Sequence, residues 1–219
     1  MTSNGTSAPA PPQIDLTSVR QVHGPAADAL ADFASVFDEM QWVLRCCEHL
    51  VTGLTAESGP VDEVLLEALW TSALQAYARS FVDGPHGPRL TVADVAAAEV
   101  GDVDDPKAVQ AWHETLGQLA GHHADPVKNP RELFSVGFAQ DESGAPTGVA
   151  VTSASLPRVD EATVRRTGAL AFGLSQLIDR RIGEQQRMVV AGLGNLSASD
   201  LDHFDTVDLS DDAGEPGKD

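Results

Sequence analysis

Residues 25–54 read PAADALADFASVFDEMQWVLRCCEHLVTGL, and this stretch decides the fold class. Its large apolar residues recur at alternating spacings of three and four, which places them on one side of an α-helix. These residues are Leu30, Phe33, Phe37, Met40, Leu44, Cys47, Val51 and Leu54. Coiled coils and helical bundles share this spacing. We expect a bundle in which this helix, running from Pro25 or Asp28 to about Leu54, forms part of the core.

A second helix is predicted directly after the first. It begins near Pro60, with Asp62 and Glu63 in the first turn, where the helix dipole favours anions. Its apolar stripe contains Leu66, Trp70, Ala73, Tyr77 and Phe81. The glycine- and proline-rich segment 84–88 ends it.

Two capping patterns mark the next helices. Thr91 with Asp94 three residues later is typical of the start of a short helix. Asp105 followed by Pro106 is a stronger signal, because aspartate caps well and proline suits the first helical position. This helix is expected to end near residues 121–123.

The segment after residue 130 departs from helical periodicity. Apolar residues concentrate in 133–138 and 149–152, on either side of a turn-forming segment at 141–144. The pattern predicts a β-hairpin at about 132–155. Because an isolated hairpin is only marginally stable, we expect it to pack on the helices. A long helix at about 160–190 follows, so the fold class is mostly α: a helical bundle with one β-hairpin inserted before the long C-terminal helix.

Both ends of the chain have the composition of disordered tails. Residues 1–27 include the segment SAPAPP at 7–12, which neither forms a helix nor packs well. Residues 195–219 are rich in Asp and Glu, and like charges at that density keep a segment solvated. We therefore place one helical-bundle domain at residues 28–194, between two disordered tails.

Charge limits the classes of partner. Lys and Arg total 14 against 33 Asp and Glu, a formal net charge of -19, which repels nucleic acid and anionic membranes. No segment approaches the roughly 20 apolar residues that span a bilayer, and the first residues lack the features of a secretory signal. The adjacent Cys46 and Cys47 offer no disulfide framework. We expect a cytoplasmic protein without a membrane or nucleic-acid partner.

Three histidines form the nearest approach to a metal site: His113, His122 and His123. No pair of them has the i, i+4 spacing that puts two imidazoles on one helical face. We expect these histidines to lie near the negative end of a helix dipole and to bind no metal. A metal site built on the three is the alternative. The chain has no phosphate-binding glycine loop and no dinucleotide fingerprint, so we expect no cofactor.

Basic residues concentrate in the last long helix. Arg165, Arg166, Arg180 and Arg187 are the candidates for binding an anion or an acidic partner. At about 100° per residue, Arg165, Arg180 and Arg187 fall on one polar face. The alternatives are a solvated face, or ion pairs with the acidic helices inside the molecule.

The order of these elements resembles one known superfamily. The segment WTSALQAYARSF at 70–81 is followed by His113-Glu-Thr-Leu116, by His122-His123, by a loop at Asn129, by the hairpin and by the long helix. Over about residues 28–193 this order resembles bacterial proteins of the HEPN type. These are small helical bundles of toxin–antitoxin, defence and nucleotidyltransferase-partner systems.

The resemblance implies two possible functions. Active members are metal-independent ribonucleases in which an Arg and a His, separated by four to six intervening residues, act at a dimer interface. No arginine stands at that distance before His122 or His123, and only Arg79 with His86 has the spacing. We therefore expect a non-catalytic helical binding or assembly protein, a degenerate HEPN-like module without catalytic residues. It would be a homo-oligomer, with a dimer favoured, or bind a protein partner. The alternative is a HEPN-like ribonuclease that uses Arg79 and His86 as a dimer.

Overall fold

The computed structural model of the chain describes residues 19–56, 62–84, 89–101, 105–156 and 158–207. Within these ranges the chain forms six helices and two antiparallel two-stranded ribbons. In chain order they are β1 (Val19–Arg20), α1 (Pro25–Leu54), α2 (Glu63–Arg79), α3 (Val92–Ala97), α4 (Pro106–Ala124), β2 (Glu132–Gln140), β3 (Pro146–Ser155), α5 (Glu161–Leu193), α6 (Ala198–Leu201) and β4 (Thr206–Val207). The predicted fold class, a helical bundle with a hairpin before the long C-terminal helix, is confirmed.

The two longest helices, α1 and α5, pack against each other in antiparallel fashion. Gly168 near the start of α5 lies against Cys47, whereas Arg181 lies over the ring of Phe33, so the residue numbers run in opposite directions. α2 packs on α1, α4 packs on α2, and α3 contacts both α4 and α5. This arrangement encloses one apolar core between the helices.

α1 buries a wider arc than its apolar stripe predicts, because it has neighbours on two sides. Its buried residues are Val36, Met40, Val43, Cys46, Cys47 and Leu50. Most of the predicted stripe lies at the edge of this core and is partly buried: Phe33, Phe37, Leu44, Val51 and Leu54. The adjacent Cys46 and Cys47 are both buried and both free, and Cys47 lies against Gly168 of α5.

The predicted helix starts are largely those of the structure. The carboxylate of Asp105 accepts a hydrogen bond from the backbone N–H of Lys107 at 3.0 Å. Thr91 donates to Asp94 through both its backbone N–H and its hydroxyl, at 2.7 and 2.9 Å. α2 begins at Glu63 after its capping residue, three residues later than the predicted Pro60, which lies outside the described residues.

Parts of both predicted tails carry secondary structure. β1 pairs with β4, and the guanidinium of Arg20 donates to the carbonyls of Asp202 and Phe204 at 2.8 and 2.9 Å. The antiparallel packing of α1 and α5 explains this pairing, because the start of α1 and the end of α5 meet at the same end of the bundle. Residues 1–18 and 208–219, the rest of the predicted tails, lie outside the described residues.

The predicted packing of the hairpin on the helices is wrong. Every residue from Leu133 to Ser155 is exposed. Only the base of the hairpin is tied to the bundle, by ion pairs that join Arg131 to Glu67 and Arg158 to Glu63 near the start of α2. The helices bury their apolar stripes against one another, so the bundle closes without the hairpin. We call residues 132–155 the hairpin arm.

α5 has one position where only glycine fits. A Cβ on the buried Gly173 would lie 2.5 Å from the backbone carbonyl oxygen of Glu99, in the segment after α3. Real Cβ atoms do not approach a backbone oxygen so closely, so any larger residue would push this segment away from α5. The close approach of α3 to α5 therefore depends on this glycine.

We expect Gly173→Ala to lower the free energy of unfolding by about 1–3 kcal/mol, the usual cost of overpacking a core. The matched control is Gly183→Ala in the same helix, where an added Cβ would meet no atom within 4 Å. That variant should gain up to about 1 kcal/mol, because alanine is the better helix former. Urea unfolding followed by far-UV circular dichroism measures both. Equal effects of the two substitutions would contradict the close contact at Gly173.

Candidate functional site

The hairpin arm has one apolar face. The pairing register sets Val136 opposite Val151 and Phe138 opposite Val149. Side chains alternate between the two faces of a strand, and directly paired residues share a face. Phe134, two residues before Val136, therefore lies on the same face as these two pairs. We call these five residues the apolar hairpin face.

No described residue covers the apolar hairpin face. The exposed fractions of its residues are 60% for Phe134, 73% for Val136, 65% for Phe138, 79% for Val149 and 67% for Val151. At about 150 Å² for each residue, the lower end of the range for aromatic side chains because three of the five are valines, the face presents roughly 500 Å² to solvent. Monomeric proteins rarely expose contiguous apolar patches larger than a few hundred Å², and larger ones mark interaction sites.

The opposite face of the arm is small and polar by comparison. It carries Ser135, Gly137, Ala139, Gly148, Ala150 and Thr152, together with one large apolar residue, Leu133. The arm is thus an amphipathic ribbon whose two faces differ in chemistry. Such alternation is typical of a sheet with one buried face, yet here the face that should be buried is in solvent.

The arm is also nearly free of charge along its strands. Glu132 is the only Asp, Glu, Lys or Arg within β2 and β3, in a chain of net charge -19. The acidic residues of the arm stand instead at its tip, where Asp141 and Glu142 form part of the turn. Two arginines, Arg131 and Arg158, flank its base. The tip of the arm is therefore acidic, whereas the two arginines at its base are already paired with Glu67 and Glu63.

The turn at the tip is fixed by one carboxylate. Asp141 accepts hydrogen bonds from the hydroxyl and backbone N–H of Ser143, at 2.6 and 2.9 Å, and from the backbone N–H of Ala145 at 3.0 Å. These hydrogen bonds hold the pKa of Asp141 below its usual value. Gly144 follows with a φ of 83°, a conformation that favours glycine. The local sequence thus specifies where the ribbon reverses.

The candidate catalytic arginine is held by a carboxylate. Arg79 donates two hydrogen bonds to Glu39 of α1, through Nε and one terminal nitrogen, both at 2.8 Å. Hydrogen bonding to Glu39 raises the pKa of Arg79, and Glu39 itself is largely buried, with 19% of its side chain exposed. His86, its partner in the ribonuclease alternative, lies outside the described residues. A phosphate at Arg79 would meet the negative charge of this carboxylate.

His113 serves the contact between α4 and α2. Its Nδ1 lies 2.8 Å from the hydroxyl of Tyr77, and its ring centroid lies 4.5 Å from that of Phe81. Burial lowers the pKa of His113, so the neutral ring is favoured at neutral pH. This histidine therefore acts as a packing and hydrogen-bonding group of the bundle.

The other two histidines lie at the end of α4. Nδ1 of His123 lies 3.1 Å from the hydroxyl of Thr71, and burial, with His122 beside it, lowers the pKa of His123. The ring centroids of His122 and His123 are 6.3 Å apart and meet edge-on. Among the described residues, no group of three or more His, Cys, Asp and Glu is arranged to hold a metal ion.

Two of the four candidate arginines of α5 are engaged within the molecule. Arg165 pairs with Glu161 one turn earlier on the same helix, at 2.6 Å. Arg166 donates to the carbonyl of Ala108 at 2.8 Å, and its guanidinium lies 4.6 Å from the ring centroid of Trp112. Arg166 thus joins α5 to α4 and stabilises the bundle. This structural role explains the arginine without a bound ligand.

The remaining two candidates are exposed on the later half of α5. Arg187 donates to the carbonyl of Gly183 at 3.1 Å, and Arg180 has no hydrogen-bond or ion-pair partner in the part of the chain that the structure describes. Their neighbour Arg181, which belongs to the same basic segment but is not one of the four candidates, pairs with Asp94. The sequence shows the capping pattern at Asp94, but Arg181, the second partner of this carboxylate, lies 87 residues away.

Comparison with known proteins returns no match. No protein-family model matches the chain, and no curated protein or solved structure matches it either. None of the helices in the described ranges is both long and apolar enough to cross a membrane. The interpretation of this molecule therefore depends on the chemistry of its own surface.

We expect Asp94→Asn to lower the free energy of unfolding by about 1–3 kcal/mol at pH 7, because it removes a charge-assisted hydrogen bond at a buried carboxylate. Burial raises the pKa of Asp94, but hydrogen bonds from Arg181 and Thr91 outweigh burial and leave the pKa below its usual value. The stability from this group is therefore present above the unfolded-state pKa of about 3.9 and is lost as pH falls through the lower folded-state pKa.

Urea unfolding of wild type and Asp94→Asn at a series of pH values measures this effect. The difference between the two proteins should narrow below about pH 4. Asp179→Asn, which removes an exposed carboxylate from the same helix as Arg181, is the control and should change stability by no more than about 0.5 kcal/mol. A difference that stayed constant into acid would show that the Asp94 carboxylate does not stabilise the fold through its charge.

Proposed function

We propose that this chain is a non-catalytic helical binding and assembly protein that acts through the hairpin arm. The apolar hairpin face carries this proposal, because it exposes five large apolar residues that no described part of the chain covers. At about 25 cal/mol per Å², burial of this face provides a gross free energy on the order of 10 kcal/mol, against association costs of similar size. A protein surface is the natural occupant for such a face.

The bundle serves as the platform for this arm. Its core is closed by the packing of α1 on α5 and α2, and ion pairs from Arg131 and Arg158 attach the base of the arm to α2. Because the arm contributes no buried residue between Leu133 and Ser155, the fold of the bundle does not require it. A segment without a role in the core and with an exposed apolar face is better explained by binding.

The arrangement around Arg79 supports the absence of turnover. Glu39 occupies one of the two bidentate edges of the Arg79 guanidinium, and its negative charge would repel a phosphate. The net charge of -19 also disfavours an RNA substrate. The resemblance to HEPN-type proteins, and with it a place in a toxin–antitoxin or defence-type system, stays a prediction.

We expect purified protein to leave a labelled single-stranded RNA intact, because the arginine of the ribonuclease alternative is already bound. Gel electrophoresis of the RNA after incubation measures cleavage in wild type, Arg79→Ala and His86→Ala. Glu39→Gln, which frees Arg79 from its carboxylate partner, should also stay inactive, because the net charge still disfavours an RNA substrate. Cleavage by wild type that is lost in both Arg79→Ala and His86→Ala would overturn the proposal in favour of the ribonuclease.

A further inference from the structure

The area of the apolar hairpin face suits a specific protein contact. Two such faces, each presenting roughly 500 Å², would together bury about 1,000 Å², which reaches the minimum area expected of a specific protein–protein interface and is below the standard size of about 1,600 Å². The face is also continuous, because the cross-strand pairs of Val136 with Val151 and of Phe138 with Val149 lie side by side along the ribbon. An apolar ribbon of this kind is complementary to a second ribbon like itself, as in two packed sheets.

The distribution of charge favours a second copy of this chain over a membrane surface or nucleic acid. Two chains of net charge -19 repel each other, and they approach most easily where charge is absent. The strands of the arm offer such a place, with Glu132 as their only Asp, Glu, Lys or Arg. At about 3.3 Å per residue, an arm with strands of nine and ten residues extends roughly 30 Å, several times the screening length of about 8 Å at physiological salt.

The ends of the arm indicate the direction of such a contact. If two arms pack face to face and antiparallel, the tip of each arm lies at the base of the other. Asp141 and Glu142 at one tip would then lie near Arg131 and Arg158 at the other base, whose side chains are 65% and 72% exposed although each already pairs with a glutamate of α2. In this arrangement each arginine would bridge two carboxylates, and the two acidic bundles would stand apart. Isologous contacts need this kind of self-complementary surface.

We propose that two copies of this chain form a two-fold dimer in which the apolar hairpin faces pack against each other with the arms antiparallel. This proposal rests on the proposed function and names the partner that the hairpin arm binds. The interface is made of Phe134, Val136, Phe138, Val149 and Val151 from each copy. The helices of the two bundles take no part in it.

The native mass in solution tests the proposal. Light scattering after gel filtration should give about twice the chain mass of 23.0 kDa for wild type at 100 μM and below. Phe134→Ser with Phe138→Ser should weaken the dimer at least 100-fold and give the monomer mass. Leu133→Ser is the matched control, because it removes a large apolar residue of similar exposure from the opposite face, and it should leave the dimer intact. Far-UV circular dichroism checks that each variant retains its helices.

Site-specific cross-linking tests which face of the hairpin arm forms the dimer contact. Both natural cysteines are buried, so a cysteine placed on the arm is the reactive one. Val136→Cys, at the centre of the apolar hairpin face, should form a covalent dimer with a short bismaleimide, since packed sheets lie about 10 Å apart. Ser135→Cys, one residue earlier and on the opposite face, should not.

A charge exchange tests the antiparallel direction. Glu142→Arg and Arg158→Glu should each weaken the dimer about 3- to 10-fold, whereas the double variant should recover most of the loss. Equal cross-linking at positions 135 and 136, or no recovery in the double variant, would overturn the arrangement.

A wild-type monomer would overturn the dimer, as would a dimer unaffected by the two serine substitutions. A monomer that floats with zwitterionic vesicles through the same phenylalanines would overturn it in favour of a lipid surface. None of these results touches the proposed absence of catalysis, which fails on RNA cleavage that depends on Arg79 and His86.

Discussion

The antiparallel packing of α1 on α5 is the contact on which the other elements depend. It places the first and last described residues at one end of the bundle, where β1 pairs with β4, and the start of α2 and of α5 at the other end. It also forms the surface to which α2 and α3 are added. Gly173 is part of the same construction, since it lets the segment after α3 approach the backbone of α5.

The hairpin arm follows from the closure of that bundle. The helices cover most of one another's apolar stripes, and the ribbon of nineteen strand residues does not add to their core. The arm therefore leaves the body at the start of α2, tied by Arg131 and Arg158 at its base. Its apolar face, which would be buried in an ordinary sheet, becomes the surface most suited to a partner.

Charged side chains in this molecule work mainly inside the fold. Arg166 and Arg181 join α5 to α4 and α3, through a carbonyl and an aromatic ring in one case and a buried carboxylate in the other. Arg79 joins α2 to α1 through Glu39. In a strongly acidic chain the few basic residues are well used as cross-links between helices, which leaves few of them for an anionic ligand.

The sequence by itself determined the helices, their caps and the hairpin, because apolar spacing, capping residues such as Asp105, and turn residues such as Gly144 act over a few positions of the chain. The tertiary structure alone decided which of these surfaces are covered. The apolar alternation around Val136 predicts a buried face, but it does not say whether helices or a second molecule cover that face. The ion-pair partner of Asp94 lies 87 residues away along the chain. Burial and ion pairing depend on the packing of distant segments, which local periodicity does not encode.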